Sequence, residues 1–181
     1  QDAFLVSGTV AENLSPGSWA GAVAEQAMHH VLQLVGMTEC VAAAGGLAGR
    51  VEDGGSNFSV GERQLLTLAR ALMPPPVAED ARGQALWRPP PVLLCDEATA
   101  SVDLVADRRV HDVLLSLEST VVMICHRLQY IRSFHLVAVL DDGHVAESGP
   151  PSELLAAKSP PSRLARLCAE AGVTADGVAE G

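Results

Sequence analysis

Two acidic residues end a short apolar run in the middle of the chain. The run "VLLCDE" finishes with Asp96 and Glu97. A carboxylate at the end of a strand suits Mg²⁺, which needs only one or two protein carboxylates when water and phosphate complete its shell. A second carboxylate beside it can act as a general base on water. Two acids that only make surface contacts are the alternative, and the dipeptide alone favours neither.

A histidine ends the next apolar run along the chain. The run "TVVMIC" is followed by His126. Because ligands of parallel sheets bind at the carboxyl ends of the strands, we expect His126 to reach the same edge as Asp96 and Glu97. An imidazole there can donate to a phosphate oxygen or hold a water molecule. The alternative is a histidine of the core or surface, and the matching position after a neighbouring strand weighs against it.

A helix start supplies a third candidate element. In "SNFSVGERQLLTLARAL", Ser59 is suited to cap a helix and Gly61 lets the backbone approach a ligand closely. The exposed amide donors at a helix N-terminus suit a phosphate group. An ordinary capped helix without a ligand explains Ser59 and Gly61 equally when they are taken alone.

The elements that must position these residues predict an α/β layered fold. Apolar periodicity predicts helices over 20–34, 59–72 and 104–117, and buried strands over 91–97 and 120–125. Residues 45–57 are rich in Gly, Asn and Asp and predict a loop. Asp142-Gly143 predicts the tight turn of a hairpin over 135–148, and short helices follow at 152–155 and 164–168. This order of strand, helix and strand is typical of parallel strands covered by helices.

Composition excludes several classes of function. The formal net charge is −10, from 22 acidic and 12 basic residues, which argues against a surface that binds nucleic acid. The four cysteines are widely separated, so neither a zinc knuckle nor a disulfide framework is indicated. No apolar run approaches the roughly 18 to 20 residues that cross a bilayer, so we expect none of these residues to span a membrane.

A proline-rich stretch interrupts the pattern between the second helix and the first strand. Residues 74–91, "PPPVAEDARGQALWRPPP", are bracketed by two triple prolines. Proline lacks a backbone donor and resists both helix and central strand. We interpret the stretch as an exposed, mobile insertion that is either a regulatory or docking loop or, the simpler alternative, filler.

The helix start at Ser59, the strand that ends with Asp96 and Glu97, and the strand before His126 follow one another along the chain. In this order they resemble the ATP-binding cassette (ABC) ATPase domains of membrane transporters. "FSVGE" resembles the signature motif, "VLLCDE" the Walker B strand with its catalytic glutamate, and "SVD" the D-loop. "QDAFLVSGTVAENL" resembles the Q-loop region. The resemblance covers residues 1–157 and looks most like the second cassette of the multidrug-resistance-associated (C) subfamily. It implies a P-loop NTPase-like fold, with a parallel sheet core and a helical subdomain, truncated at its N-terminus. Residues 1–157 would form the partial ATPase domain and residues 158–181 a C-terminal helix and tail.

The resemblance also implies a nucleotide site shared between two cassettes that close head to tail around two ATP molecules. The signature residues would touch the γ-phosphate of an ATP held by the partner cassette; they are Ser59, Val60, Gly61 and Glu62. Family members usually have Gln at the position of Glu62. We expect the extra charge to weaken nucleotide affinity unless Glu62 turns toward Arg63 or solvent.

The resemblance assigns further roles to the strand ends and the loops beside them. Asp96 would support Mg²⁺ through water, and Gln1, at the Q-loop position, would sense Mg²⁺ and couple to the transmembrane helices. Glu97 would be the general base, and His126 would hold the γ-phosphate. The D-loop residues would pass closure across the dimer interface; they are Ser101 and Asp103.

The family's phosphate loop, G-x-x-x-x-G-K-[ST], does not occur in this sequence. Lys158 is the only lysine and is followed by Ser159, but Ser152 and Ala157 stand at the glycine positions. Without that loop there is neither an amide cradle nor a lysine for the phosphates. We therefore expect the 181 residues alone to bind ATP weakly or not at all and to show no ATPase activity above background.

The leading interpretation is the ATPase half of an ATP-driven membrane exporter, present as an incomplete C-terminal portion. It implies ATP and Mg²⁺, a second nucleotide-binding domain and the transporter's transmembrane domains as partners, and a position on the cytoplasmic face of a membrane. One alternative is a soluble cassette ATPase without transmembrane domains, which the subfamily resemblance and the acidic charge disfavour. The other is a truncated, catalytically dead dimer partner, which the missing phosphate loop favours.

Overall fold

The structure is a computed structural model that describes residues 3–16, 21–73, 89–96, 102–124, 127–156 and 160–173. The chain divides into two compact units, Gln1–Ile124 and Cys125–Gly181. Gln1, Glu97, Ser101, His126 and most of the 74–91 stretch lie outside the described residues.

The first unit contains four strands and five helices in its described part. In chain order they are β1 Gly8–Thr9, α1 Val10–Leu14, α2 Ala22–Val35, α3 Thr38–Ala43, β2 Arg50–Val51, α4 Val60–Ala71, β3 Val92–Asp96, α5 Leu104–Ser116 and β4 Thr120–Ile124. The second unit contains β5 Val137–Asp141, β6 His144–Gly149, α6 Pro151–Ala156 and α7 Arg163–Glu170. None of the described helices has the length and apolar character needed to cross a bilayer.

Strands β3 and β4 pair in parallel, as the sequence predicted. The register runs from Val92 opposite Thr120 to Asp96 opposite Ile124. Helix α5 provides the connection between the two strands, which is the usual way to join parallel neighbours. Both strands therefore end at the same edge of this sheet, with Asp96 at the end of β3.

The prediction that β3 and β4 are buried is wrong for one face of the pair. Leu93 and Cys95 of β3 lie in the core of the first unit, which also contains residues of α5. Val92 and Leu94 are 54% and 76% exposed, and alternate residues of β4 are exposed as well. The reason is that successive side chains of a strand point to opposite faces, and within the described residues only one face is covered.

Helices α1, α2 and α4 form a helical layer that packs on the core of the first unit. Val31 and Leu32 of α2 and Leu66 and Ala69 of α4 are buried in one cluster. Full burial of a side chain such as Leu66 contributes roughly 2 to 3 kcal/mol. The predicted helices at 20–34 and 59–72 are thus confirmed within about two residues at each end.

The sequence missed two features of this layer. Helix α3 was not predicted, because six residues are too few to display a helical period. The stretch 45–57, predicted as a loop, contains two 3₁₀ turns and the short strand β2, which pairs antiparallel with β1. The many glycines of this stretch do determine its local backbone conformation, as the sequence indicated.

The second unit is built on the predicted hairpin. Strands β5 and β6 are antiparallel, and the turn residues Asp142 and Gly143 have φ of 47° and 76°. These left-handed conformations are the ones that a tight hairpin turn requires. Helix α7 closes the unit: Leu164 and Cys168 share its core with Ile131 and Val137. The proposed domain division at residue 157 stays a prediction.

Candidate functional site

The start of α4 is fixed by a reciprocal pair of hydrogen bonds. Ser59 is the N-cap, and its Oγ accepts from the amide of Glu62 at 3.3 Å. In return, Glu62 Oε2 accepts from the amide of Ser59 at 2.7 Å. This capping box satisfies two backbone donors and sets where the helix begins, so the predicted helix start at Ser59 is confirmed.

The Glu62 carboxylate faces Cys40 rather than Arg63. Its second oxygen, Oε1, accepts from Cys40 Sγ at 3.1 Å. Arg63 instead donates from Nη1 to the carbonyl of Phe58 at 2.9 Å. The hydrogen bonds from the Ser59 amide and then from Cys40 hold the pKa of Glu62 below its usual range. The carboxylate is therefore ionised at neutral pH and held on the Ser59 side.

The amides of Val60 and Gly61 form the open end of this helix. A helix provides no intrahelical acceptor for the N–H groups of its first turn. The first helical bond runs from Arg63 N to Ser59 O at 3.0 Å, and the Glu62 amide is capped by Ser59. Val60 is 51% exposed, so this end of the helix is open to solvent. Aligned peptide dipoles make such an end attractive to anions.

Arg70, near the other end of α4, ties the helix to residues 4–13. Its Nε donates to the carbonyl of Asn13 at 2.5 Å, and its Nη1 donates to the carbonyl of Phe4 at 2.9 Å. Its Nη2 donates to Asn13 Oδ1 at 3.3 Å. The segment that resembles the Q-loop region is thereby attached directly to the helix that carries the signature residues.

The buried side chain of Asn13 organises the segment itself. Its Nδ2 donates to the carbonyls of Val6 at 2.8 Å and Thr9 at 3.0 Å, and its Oδ1 accepts from the amide of Val6 at 2.9 Å. Sequence reasoning missed the roles of Asn13, Arg70 and Cys40.

Asp96 is the strand-end candidate that the structure places. It is exposed, stands opposite Ile124 and is the last residue of β3. The residues that follow the two strands, Glu97 and His126, lie outside the described part of the chain, as do Gln1 and Ser101. Their placement beside Asp96 stays a prediction.

The carboxylate of Asp96 fits a water-mediated Mg²⁺ contact. It is an oxygen donor at an open sheet edge, and phosphate-bound Mg²⁺ keeps several waters and takes few protein ligands. Among the described residues there is no group of three His, Cys, Asp or Glu side chains that could hold a metal unaided.

Asp103 stabilises the start of helix α5. It is the N-cap of α5, and its Oδ1 accepts from the amides of Val105 and Ala106, both at 2.9 Å. An N-cap carboxylate of this kind contributes about 1 kcal/mol to helix stability. The cap fixes the position of the Asp103 backbone at the start of α5. The role that the resemblance implies for Asp103 at a dimer interface stays a prediction.

Comparison with known proteins assigns this arrangement to a class. The chain is 40% identical over 158 residues to a multidrug resistance protein of Leishmania tarentolae, covering 86% of this chain and 9% of that protein. It superimposes on a bacterial Atm1-family ABC exporter with ATP bound, with a TM-score of 0.75 and 25% identity over 97% of this chain and 28% of the exporter chain. No family model matches the chain. The chain is therefore homologous to ABC transporter proteins and has the α/β fold of their nucleotide-binding domains.

The relatives also specify the branch of that class. The chain is 38% identical over 156 residues to ATP-binding cassette sub-family C member 10 of Mus musculus, covering 85% of this chain and 9% of that protein. The chain spans about a tenth of the length of these curated relatives. The resemblance to the multidrug-resistance-associated (C) subfamily, inferred from the motifs, is confirmed.

Proposed function

We propose that this chain is part of the ATP-hydrolysing domain of an ATP-driven membrane exporter, corresponding to the second cassette of a C-subfamily transporter. The observation that carries the proposal is the parallel β3–β4 pair, whose strands end together at Asp96 and Ile124. In the sequence, Glu97 and His126 follow these two strands. Ligands of such sheets bind at this edge. The homology to ABC transporters supports the assignment of that ligand as ATP.

We assign a separate role in phosphoryl transfer to each of Asp96, Glu97, His126 and Gln1. Positioning and electrostatic stabilisation supply most of the catalysis in this reaction. Asp96 would hold Mg²⁺ through a water molecule of its shell, and the bound metal would supply positive charge that neutralises the phosphates. Glu97 accepts a proton from the attacking water, and His126 donates a hydrogen bond to the γ-phosphate. Gln1 senses the metal from the Q-loop position.

The start of α4 binds the nucleotide that a second cassette holds. The amides of Val60 and Gly61, together with the Ser59 hydroxyl, contact the γ-phosphate of an ATP held by the partner domain. The geometry of α4 supports this, since the capping box leaves these donors at an exposed helix N-terminus. Asp103, the N-cap of α5, and Ser101, two positions before it in the sequence, transmit closure of the dimer.

The hydrogen bonds between Arg70 and Asn13 would couple closure of the two cassettes to the transmembrane domains. The transmembrane domains of the same transporter are the proposed partners of the segment that begins at Gln1, on the cytoplasmic face. Because Arg70 bonds both Phe4 and Asn13, a movement of that segment displaces α4 and its phosphate-binding end. A substitution that breaks this contact uncouples hydrolysis from transport.

The proposal is tested by ATP hydrolysis in the full-length protein reconstituted in lipid vesicles. Replacing Glu97 with Gln removes the general base and is expected to reduce turnover by about 100-fold or more. Glu118→Gln, at an exposed acid before β4, is the matched control and keeps wild-type turnover. Turnover that survives Glu97→Gln contradicts the assignment. The 181 residues alone, which contain no G-x-x-x-x-G-K-[ST] stretch, are expected to give only background hydrolysis.

A further inference from the structure

Glu62 introduces a negative charge within the first turn of the helix proposed to bind phosphate. It is the third residue of α4, and a carboxylate at this position competes with a phosphate for the same first-turn amides. In the structure both oxygens are engaged elsewhere: Oε2 by the Ser59 amide and Oε1 by the Cys40 thiol. The Ser59 bond is local to the helix start, whereas the Cys40 bond comes from a different element.

We propose that Cys40 is a positioning residue for the phosphate-binding end of α4. Its thiol holds the Glu62 carboxylate beside Ser59 and thereby keeps it off the amides of Val60 and Gly61. This inference rests on the proposed function of α4 and adds a residue, on α3, that sequence motifs do not include. Cys40 lies 22 positions from Glu62, so the contact exists only because α3 packs beside the start of α4.

The direction of the hydrogen bond follows from the two ionisation states. Burial, and then the Glu62 hydrogen bond and charge, raise the pKa of the Cys40 thiol to about 11, so the S–H is retained at neutral pH. The pKa of Glu62 is lowered, so its carboxylate is the acceptor. Cys40 is partly buried and packs against the core of the first unit through α3, so its backbone position is set independently of Glu62. The thiol is therefore a donor to the Glu62 carboxylate that comes from outside α4.

The first test measures ATP dependence of hydrolysis in the full-length protein. Cys40→Ala removes the donor and is expected to raise the half-saturating ATP concentration about fivefold, with a much smaller change in kcat, as for the loss of one hydrogen bond. Cys40→Ser keeps a donor and restores the wild-type value. Cys168→Ala, which removes a thiol from the second unit, is the control.

The double variant separates positioning from packing. In a Glu62→Gln background there is no carboxylate to restrain, so adding Cys40→Ala leaves the half-saturating ATP concentration of Glu62→Gln unaltered. An equal fivefold rise in both backgrounds, or no rise in either, overturns the inference. Failure of Cys40→Ser to restore the wild-type value overturns it as well.

A second measurement does not depend on ATP. The alkylation rate of Cys40 by iodoacetamide, followed by mass spectrometry of the full-length protein, reports thiolate formation at this site. Glu62→Gln removes the charge that opposes the thiolate and is expected to accelerate alkylation; an unaltered rate overturns the contact. If hydrolysis is independent of Glu97, the inference fails together with the proposed function. Glu97-dependent hydrolysis with no effect of Cys40→Ala overturns the inference alone.

Discussion

Replacing Asn13 with alanine is expected to destabilise the first unit far more than the loss of an exposed polar side chain does. The side chain is 2% exposed and makes four hydrogen bonds, to the Val6 amide, the Val6 and Thr9 carbonyls and the Arg70 guanidinium. Alanine removes all four of these bonds, and the Val6 and Thr9 groups, which bond Asn13 in a partly buried setting, are left without that partner. The Arg70 bond, at 3.3 Å, is the longest of the four.

The magnitude follows from the number of partners left behind. A net contribution of about 1 kcal/mol for each of the three shorter bonds gives a destabilisation of about 3 kcal/mol. For a chain of this size, that corresponds to a fall of roughly 6 to 12 °C in the melting temperature. The segment 4–13 also loses part of its attachment to α4, because Arg70 Nη2 bonds the same side chain.

Urea unfolding followed by circular dichroism provides the assay, with Asn57→Ala as the matched control. Asn57 is exposed and makes two side-chain hydrogen bonds, to the Glu52 amide and the Arg50 carbonyl. Its loss is expected to cost about 1 kcal/mol or less, with an unchanged dependence on urea. A destabilisation by Asn13→Ala no larger than that of Asn57→Ala would refute the reasoning.

The remaining predictions concern the two helix starts and the proline-rich stretch. Because the pKa of Glu62 is lowered in the fold, its contribution to stability is present above the unfolded-state pKa and is lost as pH falls through the folded-state pKa. The stability difference between wild type and Glu62→Gln is therefore expected at pH 7 and absent near roughly pH 2 in urea titrations; a constant difference contradicts it. Asp103→Ala is expected to lower the free energy of unfolding by about 1 kcal/mol, and no change would show that the cap is dispensable. Limited proteolysis is expected to cut first within 74–91, and resistance of that stretch contradicts its proposed mobility.

The start of α4 could be predicted from sequence because its determinants are local. Ser59 and Glu62 stand three positions apart, and both capping bonds form within one turn. The same holds for the hairpin turn at Asp142 and Gly143, where the residue types dictate the left-handed backbone. Element type and helix starts follow from such short-range chemistry.

The contacts that distinguish this site could not be predicted, because they join distant parts of the chain. Cys40 meets Glu62 across 22 positions, and Arg70 meets Asn13 across 57 positions. No periodicity or spacing carries such information in a single sequence. The exposed face of β3 has a related cause: the apolar residues Val92 and Leu94 predicted burial, but a covering element cannot be inferred from the strand itself.

Orthovanadate trapped in place of the γ-phosphate tests most directly whether the start of α4 binds nucleotide. In the full-length protein, ultraviolet light cleaves the backbone where bound vanadate touches it, and mass spectrometry locates the cut. We expect cleavage of this chain between Ser59 and Glu62, dependent on ATP and Mg²⁺. Cleavage elsewhere in the chain, with 59–62 intact, would show that the start of α4 does not contact the γ-phosphate and would contradict the proposed site.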